Sequence, residues 1–410
     1  MENSKMANEN ILSDLLKSDG PTCLVIKASL KPVGDLARFQ PAGFPEVGHV
    51  IYDAPRAGNT TDKVCIIDSA ASMANHLESV CMDGPNSSDL HPDLTGLPYV
   101  VCVTHRKFEQ EGDSIKPASN DPFDKVVVTS LTEGHRIASD YFLDAFYGEP
   151  EWKTEGKRKE RGKDKTVPAY WEGIKFREQL RKDFGITEVK KDKTYFTHPE
   201  DWWGVYKAVF RYDPNSLVHG VLFAKEQIKL SRLLTAHQEA FNAARVQSSG
   251  VKFDRLGKTL SGQPIFAVDE ETGEIRSTFI IDLALLRSYG RKSNGLNDAQ
   301  KQLLLGLSLW KIKRLLAKPF RFRSGCYLKC FQVSVLADDE PMVSHSDGQS
   351  LLDAVDIQVL IAACDFGAES VTRVYYPANS LFKLGKDDAS GEASDSEDAA
   401  TNEAEQEAED

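Results

Sequence analysis

The chain has 410 residues, 41% of them apolar, and a formal net charge of -12 at pH 7. That is long enough for one large or two ordinary domains with a real core. No apolar run reaches the length of a membrane span, and the polar, acid-bearing start MENSKMANEN does not read as a secretory signal.

The negative charge is unevenly placed. Residues Asp387 to Asp410 hold eleven acids and no base, which leaves 51 acids against 50 bases in the remainder. The tail at 385–410 is rich in Ala, Ser, Glu and Asp and is expected to be disordered. It reads either as a solvating tail or as a nucleic-acid mimic that covers non-specific sites.

In chain order, residues 1–20 read as a flexible lead-in, and CLVIKASL (23–30) is a first strand before a Pro/Gly-rich loop at 32–48. VCIIDSAASMANHLESV (64–80) is a strand running into a helix, with Asp68 or Ser69 as its cap. Ala70, Met73, Ala74, Leu77 and Val80 make the buried stripe; Ser72, Asn75, His76 and Ser79 make the other face. A helix start presents unpaired N–H groups and partial positive charge, so this end is either capped locally or open to an anion. YVVCVTH (99–105) is a strand. KVVVTSLTEGHRIASDYFLDAF (125–146) reads as strand, capping box (Ser130 with Glu133) and helix, with His135 and Arg136 in the first turn. Either Arg136 reaches a local carboxylate such as Asp140, or it serves an anion there.

Lys157, Arg158, Lys159 and Arg161 crowd a segment that reads as a mobile basic insertion, 151–197. Regular structure resumes at 204–212, and Asp213-Pro214-Asn215-Ser216 is a turn by its chemistry. A helical pattern covers 228–244, and 264–281 reads as a hairpin turning at Glu271-Thr272-Gly273. SYGRKSNG (288–295) is a basic loop with Tyr289 beside Arg291 and Lys292: a place for bases to stack, or a solvated loop. Asn297 caps a long amphipathic helix that stops at Pro319. Residues 320–336 form a final strand, with Phe320 and Phe322 inward and Arg321 and Arg323 outward. Strands and helices mixed without steady alternation make the fold class α+β.

The familiar catalytic signatures are missing. The sequence has no P-loop, no Rossmann fingerprint, no G-x-S-x-G and no H-E-x-x-H. Its nine histidines are dispersed, and its seven cysteines read as buried free thiols of a cytosolic protein. No cofactor, no metal and no catalytic residue is expected.

Four segments in series, IDSAASMANHLE (67–78), TSLTEGHRIASDYFLD (129–144), YDPNSLVHGVLF (212–223) and RFRSGCYL (321–328), resemble the CRISPR-associated backbone subunits of the RAMP superfamily, most closely those of type I-G (formerly I-U) Cascade complexes. The resemblance spans roughly residues 23–336. It implies an RRM-like or ferredoxin-like palm at 21–384 with inserted finger and thumb segments; 151–197 and 264–281 compete for the thumb. It implies a non-catalytic subunit that polymerises with copies of itself in a helical filament along a CRISPR RNA and presents the guide to target DNA. Its other partners would be the remaining Cascade subunits and a helicase-nuclease, in the cytoplasm and away from any membrane. On matching positions it implies RNA contacts at Ser69, Ser72, Asn75, His76, His135 and Arg136, then at Asn215, Ser216, His219, Arg321 and Arg323. Charge alone adds Lys157, Arg158, Lys159, Arg161, Arg291 and Lys292. The alternative is a metal-dependent ribonuclease using Asp68 or Asp213.

Overall fold

The computed structural model describes residues 11–376 except 37, 44–47, 59, 85–86, 112–113, 118–121, 154–155, 161–162, 168–169, 191–193, 247–264, 269–273, 292, 343–347 and 368–369. The acidic tail at 385–410 and residues 1–10 lie outside the described residues.

A curled antiparallel sheet forms the centre. Its main strands are β1 (Cys23–Pro32), β2 (Ile51–Arg56) and β3 (Thr60–Asp68), followed by α1 (Ala70–Ser79). β4 (Tyr99–Thr104) and β5 (Lys125–Thr129) belong to a second sheet. After α2 (Trp202–Tyr212) and α3 (Pro214–His219) the centre resumes with β6 (Leu234–Phe241) and β7 (Ile275–Asp282). The long helix α4 (Asp298–Leu316), β8 (Phe320–Arg323) and β9 (Cys326–Ala337) follow, and β10 (Val371–Tyr375) closes the second sheet. The central order is β8-β9-β1-β7-β6-β3-β2, and the second sheet runs β5-β4-β10 to Phe146–Tyr147, with β4 and β10 parallel.

Cross-strand register explains why one face of the centre is dry. Ile26 pairs with Phe279, which pairs with Ala236; Leu24 and Leu234 both pair with Ile281; all of these are buried. The intervening pairs, Lys27 with Thr278 and His237 with Thr278, point the other way and are half-buried or exposed. Alternation at period two thus divides a helix-covered face from an open polar one. Gln238 sits on the dry face and donates from Nε2 to Ser277 Oγ at 3.0 Å. α4 rests against that side. Its stripe is not the half-exposed one expected: Leu303, Leu304, Leu305, Leu307 and Leu309 are all fully buried, because Gln349–Asp353 and Ile357–Ala362 cover its far side.

Several expected elements differ. The helix expected at 228–244 is the strand Ile228–Leu230 followed by β6, because residues 234, 236, 238 and 240 are needed inward on a sheet. The hairpin expected at 264–281 does not form: Ile265–Val268 pairs with Ala243–Val246 and Arg38–Phe39, whereas β7 lies between β1 and β6. The single final strand at 320–336 is a hairpin, broken at Ser324-Gly325 where Gly325 takes φ +80°, and two helices and β10 follow it. Within the expected lead-in, residues 11–15 are helical, with Leu12 and Leu15 buried. Within the basic insertion, Gly156–Glu160 pairs antiparallel with Lys163–Val167. All seven cysteines are free; burial pushes Cys81 up to about 11 and Cys102 and Cys326 to about 12, leaving poor nucleophiles.

Candidate nucleic-acid interface

A cleft of about 1060 Å³ opens between the outer face of α1, strand β5 with the loop after it, and the junction of α4 with β8. Asn75 and Ser79 form one wall, Val126 and Glu133 another, and Arg314, Lys318 and Arg321 the third. Asn75, Arg314, Lys318 and Arg321 are exposed. Arg314 and Lys318 stand at the carbonyl end of α4, where the negative end of the helix dipole favours cations. Arg321 donates to Ser324 Oγ at 2.8 Å, which aims its guanidinium along the rim. The rim carboxylate Glu133 lies 3.2 Å from His135 Nδ1; that hydrogen bond holds Glu133 below and His135 above their ordinary values.

The cleft floor contains Glu78, a carboxylate only 3% exposed. It lies on α1's buried stripe, beside Ala74 and Leu77, and is neutralised from below. Arg136 donates to it twice, from Nε at 2.7 Å and Nη2 at 3.0 Å, and Asn215 Nδ2 donates at 2.6 Å. Lys311 of α4, fully buried, donates to Asn215 Oδ1 and to His219 Nε2, the latter at 3.0 Å. Burial lowers the Lys311 ammonium and, with Lys311 beside it, keeps His219 neutral well below its usual range. Ser216 Oγ donates to Asp213 Oδ2 at 2.7 Å.

This corrects the sequence expectation for four residues. Arg136, Asn215, Ser216 and His219 are buried beneath the floor, and none lines the cleft. Arg136 does not open a helix. It has φ +54° and is the first residue of a 3-10 turn, Arg136–Ala138; the following helical turn, Asp140–Leu143, is capped by Ser139. The expected capping box fails because Ser130 Oγ instead accepts from Val100 N–H across to β4, at 3.1 Å. The "turn" at 213–216 opens a short helix with Pro214 at its first position.

Around the start of α1, Ser69 is the cap, accepting from Ser72 N–H at 3.2 Å. Asp68, 2% exposed, is held by Arg323 Nη2 at 2.7 Å, His76 Nε2 at 3.0 Å and Ser69 N–H at 3.0 Å. Ser72 Oγ lies 3.4 Å from His76, whose ring meets Phe320 and Phe322 edge-on at 5.5 and 5.2 Å. Arg323 therefore points back, also donating to Ile67 O at 2.6 Å, and not outward as alternation predicted. Of the two caps expected here, the structure uses Ser69.

Of the expected residues, the cleft thus brings together Asn75 and Arg321, with His135 exposed beside its Glu133–Gly134 rim. Arg291 is exposed on a two-residue strand pairing with Asn294, away from the cleft lining. Lys157, Arg158 and Lys159 lie on Gly156–Glu160 by backbone; their side chains, and Arg161 and Lys292 entirely, lie outside the described residues. Arg314 and Lys318 were not singled out from sequence: two cations at a helix end read simply as dipole partners.

The nuclease alternative is not supported. Asp68 is committed to Arg323 and His76, Asp213 is wholly buried, and among the described residues no three His, Cys, Asp or Glu side chains gather where they could hold a metal ion. Among the same residues, no helix is long and apolar enough to cross a membrane.

Two predictions test the network. Gly220 takes φ +76° and ψ 159°, a region closed to side chains, and an added Cβ would sit 2.8 Å from Leu230 O. Its own carbonyl accepts from Arg136 Nη1 at 3.3 Å. Gly220→Ala should cost about 2–3 kcal/mol in urea unfolding. The second concerns pH. Burial raises the Asp213 carboxyl from 3.8 to about 6, so the protonated form favours the fold. Its contribution is complete below about pH 4 and is lost as pH rises through 6. Asp213→Asn mimics the protonated state, so its stability relative to the wild type should climb between pH 5 and 7.5. A flat difference across that range would show that Asp213 does not titrate there.

The family described as CRISPR-associated protein GSU0053 matches residues 24–245, more than half of the chain. The match runs from β1 past β6 and takes in Glu78, Arg136, Asn215 and His219, whereas Lys311 and the cleft cations of α4 and β8 lie beyond it. Comparison with curated proteins gives no match. With β1, β2, β3 and β6, the helix carrying Asn75 and most of the buried network inside the matched span, the chain belongs to the CRISPR-associated protein GSU0053 family.

Proposed function

We propose that this protein is a guide-RNA-binding subunit of a type I CRISPR effector complex, a Cascade backbone of type I-G kind, repeated along the CRISPR RNA and without catalysis of its own. The observation that carries this reading is the cleft, in which Arg314, Lys318 and Arg321 face solvent over a floor whose one carboxylate, Glu78, is already neutralised. Such a surface grips phosphates without reading bases, as a subunit repeated along one guide requires. The antiparallel sheet with helices on one face is compatible with an RRM-like palm. β7 is interior to that sheet, which favours the paired strands within 151–172 over residues 264–281 as the finger or thumb. Target DNA would meet the subunit through the guide, and the other Cascade subunits and a helicase-nuclease would complete the assembly.

The test is co-expression with a CRISPR array and the processing subunit, purification at moderate salt, and a denaturing gel of the extracted nucleic acid. A discrete guide-length RNA in a high-mass fraction is expected. A nucleic-acid-free monomer would end this reading and leave a protein-only scaffold as its successor.

A further inference from the structure

We infer that the acidic C-terminal segment, residues 387–410, occupies the same cleft when RNA does not, and so competes with weakly bound nucleic acid. The inference rests on the cleft being the RNA site. Its grounds are charge and reach. The segment has eleven acids and no base, whereas the cleft walls carry three exposed cations, Arg314, Lys318 and Arg321, against one half-buried carboxylate, Glu133, which is engaged with His135. A run of carboxylates offers these cations what a phosphate chain offers them, at lower charge density and without 2′-hydroxyls.

The fold also delivers the segment to the right place. Tyr376 N–H donates to Val103 O at 2.9 Å, and Val103 pairs with Val126, which lines the cleft. The chain therefore leaves the described fold about 10 Å, two strand spacings, from the cleft wall. Ten residues, 377–386, separate that point from Asp387. Extended, they span up to about 35 Å, more than three times the distance to that wall, so the first acids reach the cleft. Tethering sets an effective concentration near the millimolar range, enough for a weak contact to be occupied much of the time. Guide RNA, bound through many phosphates and along many subunits, displaces it; short or stray RNA does not.

The test uses the full-length chain and a full-length variant in which all eleven acids are changed to Asn or Gln. The probe is a fluorescein-labelled peptide of residues 387–410, followed by anisotropy at low salt. The peptide should bind the neutralised variant and be released by added salt and by single-stranded RNA. It should bind the wild-type chain on the order of tenfold more weakly, because the tethered segment already fills the cleft. Adding Lys318→Gln, or the set Arg314→Glu, Lys318→Glu and Arg321→Glu, to the neutralised variant should weaken or abolish binding. The inference is overturned if the peptide does not bind the neutralised variant, binds both chains equally, or is indifferent to these substitutions. RNA binding is measured beside it: RNA bound but peptide not bound sinks this inference alone, whereas peptide bound and RNA not bound sinks the guide-RNA reading, and with it the competition, while leaving the contact between tail and cleft.

Discussion

Arg136→Ala should destabilise the fold by about 3–5 kcal/mol, read as a lowered urea midpoint at unchanged slope. The substitution leaves Glu78, 3% exposed, with Asn215 as its remaining direct donor, and an unpaired carboxylate cannot be rehydrated at that depth. Arg136→Lys should recover only part of the loss, because an ammonium cannot make the two-pronged contact seen at 2.7 and 3.0 Å. Arg136→Gly separates two contributions. It loses the ion pair as Ala does but relieves the φ of +54°, so it should be about 1 kcal/mol more stable than the Ala variant. RNA binding by these variants, measured where each is folded, should be close to wild type. Unchanged stability with strongly weakened RNA binding would mean that Arg136 leaves Glu78 and swings out to the guide.

This residue also shows where sequence reading stops. β1, the β3–α1 junction and α4 were legible because each carries its own signal: an apolar strand, a Ser cap with a 3.6-period stripe, and an Asn297 cap, to which the structure adds Gln300 as the second half of a capping box. β6 was misread because its inward set, Leu234, Ala236, Gln238 and Ala240, includes one amide and two of the best helix formers. The neighbours β7 and β3, not the segment itself, make it a strand. The buried network joins Glu78, Arg136, Asn215, His219 and Lys311 from four distant segments, and nothing local links them. One local signal was present. Glu78 follows Leu77 on the stripe that includes Met73, Ala74 and Cys81, and Lys311 sits four residues from both Leu307 and Leu315; a charge on an apolar stripe at helical spacing announces a buried partner. The composition of the tail, by contrast, was readable in full, although only the position of Tyr376 shows what lies within its reach.

The larger effect on binding is expected from Arg314→Glu, Lys318→Glu and Arg321→Glu together. All three side chains are exposed, so the fold should change by little more than the few tenths of a kcal/mol lost at the end of α4. RNA affinity should fall on the order of a hundredfold at low salt, and the slope of log K against log salt should shrink by about two units, from three lost phosphate contacts at about 0.7 each. The loss should be equal for unrelated RNA sequences, because contacts to phosphate carry no base information. Asn75→Ala should cost far less and leave the slope unchanged, since an amide releases no counterion. The slope is the decisive reading. If affinity falls but the slope does not, the three cations shape the cleft without touching phosphate. If neither changes, the guide lies elsewhere, with the basic strand Gly156–Glu160 the next place to reverse charge.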